Sequence, residues 1–135
     1  MKSRFTFDSN ESSWAMDDHY EVLDLWLRGV RFFNHMARFM SDPRYDELMA
    51  AQFRSAAKSV MDAIARSRQS DSPASVAVWL SSAKDNAQHC LDLLSMAKKK
   101  GVDLSDEFME SMESEIRRLV REIDLCRDRV CWHLN

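Results

Sequence analysis

Residues 72–101 read SPASVAVWLSSAKDNAQHCLDLLSMAKKKG, and the punctuation of that stretch decides the fold. Ser72 can accept from the free amides of a first helical turn, and Pro73 suits the first helical position, where a missing N–H would be unpaired anyway. Val76, Leu80, Ala83, Ala87, Cys90, Leu94 and Ala97 then recur at steps of four and three, the spacing of one helix face. Lys98, Lys99 and Lys100 put three cations at the negative end of the helix dipole, and Gly101 offers a left-handed terminus. Cap, stripe and stop together predict one helix over 73–100.

The same grammar repeats on either side. Ser41-Asp42-Pro43 is a second cap, and behind it Tyr45, Met49, Phe53, Ala56, Val60 and Ile64 form another stripe. Beyond Gly101 the chain restarts at Asp103 or Ser105, and Phe108, Met112, Ile116, Leu119, Ile123, Cys126 and Val130 keep helical spacing. The predicted helices are 14–40, 43–69, 73–100 and 105–134, each about 40 Å long at 1.5 Å per residue. Equal lengths and short connections make sequence neighbours antiparallel. The expected fold is therefore all-α, a single antiparallel up-down-up-down four-helix bundle over 14–135, with 1–13 a flexible N-terminal segment.

Composition agrees. A chain of 135 residues suits one domain, and two Gly and two Pro are too few for the turns of an all-β fold. Three cysteines without a CxxC pair argue against a disulfide framework and fit a reducing compartment. No apolar run is long enough to span a membrane, and MKSRFTFDSNESS lacks the apolar core of a signal peptide, so a cytoplasmic protein is expected. A net charge of −3 provides no global attraction for nucleic acid, so binding of that kind needs a local basic patch.

The first segment carries two apolar stripes. Val22, Trp26, Val30, Phe33, Ala37 and Met40 read as the core line, whereas Leu25, Phe32 and Phe39 repeat every seven residues about a quarter turn away. One bundle core does not need both. Leu25, Phe32 and Phe39 are therefore expected to form a subunit interface of a homo-oligomer.

Polar residues add a further pattern. Arg28, Arg31, His35 and Arg38 cluster on one face of the first helix beside Asn34, with no acid of that helix among them, and the second helix adds Arg54 and Lys58. Such a surface can neutralise phosphates or dock an acidic partner. The basic residues of the fourth helix have a simpler reading. Asp106, Glu107, Glu110, Glu113 and Glu115 precede Arg117, Arg118, Arg121, Arg127 and Arg129, the order the helix dipole favours.

Gln52-Phe53-Arg54-Ser55-Ala56-Ala57-Lys58-Ser59-Val60, continuing to Ile64-Ala65, resembles the second-helix signature of four-helix-bundle proteins encoded in intervening sequences of 23S ribosomal RNA genes. That family also includes accessory proteins of diversity-generating retroelements. Leu94, Ala97, Gly101, Leu104, Ser105 and Phe108, followed by Ile116-Arg117-Arg118-Leu119, are similar to its third turn and fourth helix. The resemblance implies a non-catalytic homo-oligomeric adaptor, a pentamer in the retroelement branch, that binds a reverse transcriptase and RNA and needs no cofactor. One departure stands out: where the family continues Asn-Ile-Ala-Glu-Gly, this chain reads Ala63-Ile64-Ala65-Arg66-Ser67, so no role of those polar residues carries over.

Two alternatives remain open. Arg127-Asp128-Arg129-Val130-Cys131-Trp132-His133 has the Arg-polar-x4-His form that resembles the catalytic signature of HEPN ribonucleases, in which Arg127 and His133 would act on a phosphate. A phage-type protein-interaction module is the other. His19, His35, His89 and His133 show neither the His-x3-His nor the repeated Glu-x-x-His spacing of a metal site, and neither a phosphate-binding glycine loop nor a serine elbow is present. No catalytic residue and no metal are expected.

Overall fold

The computed structural model describes residues 16–40, 47–100 and 106–132, with side chains over 21–38, 47–100 and 107–130. Four helices account for nearly all of them: α1, Met16–Met40; α2, Glu47–Arg68; α3, Pro73–Lys99; and α4, Asp106–Trp132. Among the described residues there is no strand. Each helix packs against its neighbours in sequence, α4 closes against α1, and among the described residues neither diagonal pair brings its backbones within 8 Å, which is the packing of a helical bundle. The α1–α4 contact is the least extensive of the four.

Local chemistry explains the α2–α3 junction. Ser72 takes an extended conformation, its Oγ accepts from the Ser75 amide at 3.2 Å, and Pro73 opens α3 as expected. At the far end the Lys100 amide donates to the Met96 carbonyl at 3.0 Å. Asp42, Pro43, Gly101, Asp103 and Ser105 lie outside the described residues, as do residues 1–13 and Tyr45.

The stripes of α2, α3 and α4 face inward almost as expected. Met49, Phe53, Ala56, Val60 and Ile64 are buried, so are the seven named positions of α3, and on α4 Met112 through Val130 follow, with Phe108 half-buried at the edge. Small residues sit at the middle layers, where Ala56, Ala57, Ala83 and Ala87 are all enclosed. Ser67 is the one buried polar residue among those described, and its Oγ donates to the Ile64 carbonyl at 2.7 Å. That bond removes the cost of an unpaired hydroxyl. On the rim between α2 and α3, the Arg66 guanidinium lies 5.0 Å from the Trp79 ring centre.

Helix α1 corrects the expectation. Its buried line is Val22, Leu25, Gly29, Phe32 and Met36, with Leu25 at 3% and Phe32 at 1% exposure, while Trp26, Val30, Phe33 and Ala37 are only half-buried on the flank. Leu25 and Phe32 are thus core residues of the single chain and have almost no surface left to offer a second subunit. Phe39 lies in the backbone of α1, with its side chain outside the described set. The buried line runs through Gly29, where a Cβ would meet Ile64 Cδ1 and Met61 Cγ at 3.6 Å, an ordinary contact distance, so this face of α1 lies against α2. A line of apolar side chains interrupted by glycine reads as broken in the sequence, yet here it marks the axis of approach.

Candidate interaction site on the α1–α4 seam

Residues 21, 28 and 35 of α1 share one flank because seven residues are two helical turns. Opposite them on α4 stand 129, 122 and 115. The Glu21 carboxylate pairs with Arg129, Arg28 Nη1 lies 3.2 Å from Glu122 Oε1, and His35 Nδ1 lies 3.0 Å from Glu115 Oε2. Residue numbers rise along α1 as they fall along α4. The same reversal holds between α3 and α4, where Arg127 Nη1 lies 3.4 Å from Ser81 Oγ, and Lys84 and Lys98 reach Asp124 and Glu113 at 3.0 Å each.

Between the ties on the α1 side lies a recess of about 270 Å³. Arg28, Arg31, His35 and Arg118 form its rim with Glu115, and Phe32 and Leu119 form its floor. A shallower recess of about 200 Å³ continues along Arg31, Asn34, His35 and Arg38. The His35 ring stacks on Phe108, with centroids 5.9 Å apart and planes 16° from parallel. Its position is therefore set from two sides, by the stack and by Glu115.

The six residues expected to bind an anion are divided by this geometry. Arg28 is already held between Asp24 of its own helix at 3.3 Å and Glu122 of α4, and His35 faces Glu115 of α4, so the basic face expected to be free of acids is paired from both helices. Arg31 and Arg38 are exposed and make no ion pair among the described residues. Arg54 and Lys58 are exposed on α2 and line neither recess, and Lys58 is 3.4 Å from Asp62. Arg118, absent from the expected set, joins the rim, with its Nε 4.0 Å from Glu122. Nothing in the sequence set Arg118 apart from the other basic residues of α4, because it meets the rim only through the packing of α4 on α1.

The other candidate chemistry resolves differently. Arg127 Nη2 lies 2.9 Å from Asp124 Oδ1, which Lys84 also approaches, so this guanidinium is committed to a contact between α3 and α4. Asp124 Oδ1 is buried and accepts no hydrogen bond, so the attraction there is that of charges at close range. His133 lies outside the described residues. Burial pushes the Cys90 thiol up to about 12, which keeps it protonated and unreactive near neutrality, while His89 beside it is exposed. Among the described residues no three His, Cys, Asp or Glu side chains gather as a metal site would require, and no helix is long and apolar enough to cross a membrane.

No protein-family model, no curated protein and no solved structure matches this chain.

Proposed function

We propose that this protein is a non-catalytic adaptor, an up-down-up-down bundle that holds an anionic partner against its α1–α4 seam. The observation that carries the reading is the pair of exposed arginines, Arg31 and Arg38, placed either side of His35 without a carboxylate of their own, with Arg118 across the recess. The opposite running of α1 against α4, and of α3 against α4, supports the up-down order. The resemblance to retroelement accessory proteins points the same way, toward a role in bringing macromolecules together, with a reverse transcriptase or RNA as the partner it implies. A cytoplasmic setting belongs to this reading, and the buried thiols of Cys90 and Cys126 suit it. Self-association through Leu25 and Phe32 does not, because both side chains are already covered.

Charge reversal tests the proposal. With Arg31→Glu and Arg38→Glu combined, binding of a polyanion such as heparin should weaken while the helical circular dichroism stays the same. Each lost phosphate-type contact should reduce the logarithmic salt slope by about 0.7–0.9. An unchanged affinity and slope would return these arginines to the role of solvated surface.

A further inference from the structure

The three ties that cross from α1 to α4 differ in how permanent their cations are. Arg129 and Arg28, which pair with Glu21 and Glu122, carry guanidinium groups that stay charged at any physiological pH. The third cation is His35, whose Nδ1 lies 3.0 Å from Glu115 Oε2. Imidazole is the side chain whose ordinary titration falls within about pH 5–8. Of the three ties, this one alone can therefore lose its positive charge, and when it does Glu115 keeps a negative charge that its partner no longer balances.

That tie stands where the anion site is. His35 lines both recesses, and Arg31 is the other residue common to them. Among the described residues, the charged groups around His35 are Arg28, Arg31 and Arg38 on its own helix and Glu115 and Arg118 on α4, while Phe108 of α4 stacks on the ring. An anion drawn in by Arg31 and Arg118 meets Glu115 on the same rim. With His35 protonated, the His35–Glu115 pair is neutral and the arginines act on the anion unopposed. With His35 neutral, the pair carries a full negative charge inside the site. The two side chains are 35% and 31% exposed, so water screens that charge only in part.

We propose that the His35–Glu115 pair is a proton switch for the anion site: protonation of His35 cancels the Glu115 charge and admits the anion, and loss of the proton restores the charge and expels it. The inference rests on the anionic-partner reading and adds regulation to it. By linkage the bound anion favours the protonated ring in turn, so binding takes up a proton.

Heparin tests the switch, because its sulfate groups keep their charge across this range. At fixed ionic strength the full chain should bind it about tenfold more tightly near pH 5 than near pH 8. His19, His89 and His133 also charge on acidification, and His35→Gln separates the local effect from that general one. The variant should lose most of the gain and stay close to the weaker, alkaline affinity. Glu115→Gln should tighten binding at the alkaline end toward the acid value. Helical circular dichroism matched across variants and pH confirms an intact bundle. A full pH dependence retained by His35→Gln, or an alkaline affinity unchanged by Glu115→Gln, would overturn the switch. Binding by the unmodified protein that ignores pH would overturn the switch and leave the anionic-partner reading standing. Absence of binding at every pH would overturn both.

Discussion

Phe32 and Phe33 are adjacent in the chain and identical in chemistry, yet one is 1% exposed in the core and the other packs on its edge. A truncation at each should separate them. Phe32→Ala should cost about 3–5 kcal/mol, the range for deleting a fully buried aromatic ring, and Phe33→Ala clearly less. Urea midpoints followed by far-ultraviolet circular dichroism measure both, and the reverse order would restore Phe33 to the core line. Gly29 supports an opposite expectation. Its added methyl would meet Ile64 and Met61 at 3.6 Å, ordinary contact, and alanine is favoured over glycine inside a helix by about 1 kcal/mol. Gly29→Ala should therefore raise the thermal midpoint, and a lower one would mean that α1 and α2 sit closer than described. These residues also show where the sequence is ambiguous. Both stripes of α1 are apolar, and periodicity within α1 alone does not say which of them faces the other helices.

Helices α2, α3 and α4 were legible because each has one apolar stripe and one polar face, so periodicity leaves a single way to bury them. The N-cap of α3 was legible too, since Ser72-Pro73 has few other uses. What periodicity could not supply was the pairing of flanks across helices. The ladder Glu21–Arg129, Arg28–Glu122 and His35–Glu115 becomes visible only when α1 and α4 are laid side by side, and it takes two of the four α1 basic residues out of the binding set. A similar tie joins the end of α3 to α4. A hydrogen bond from Lys98 holds the Glu113 carboxyl below the ordinary carboxylate range, with Arg117 assisting and burial opposing. A lowered folded pKa contributes stability that is complete above the unfolded value, near 4.3, and disappears as pH falls through the folded one. Lys98→Ala should accordingly lower the thermal midpoint at neutral pH, and the gap from the unmodified protein should close on acidification. A gap that persists in strong acid would mean Lys98 acts through something other than this carboxylate.

Taken together, the four helices enclose one core, the α1–α4 contact is the least extensive of the four, and the recess lined by Arg31, His35 and Arg118 lies along it. The half of the site on α1 could be read in advance from Arg31 and Arg38. Arg118 and the acids Glu115 and Glu122 could not, because they lie some eighty residues away and enter only through the fold. Arg54 and Lys58 were grouped with the site by charge alone, and the packing of α2 separates them from it. The most direct measurement is amide hydrogen exchange of the full chain with and without saturating polyglutamate. Slower exchange should concentrate in residues 24–38 of α1 and 111–125 of α4. Protection confined to α2 or α3 would contradict a binding surface on the α1–α4 seam.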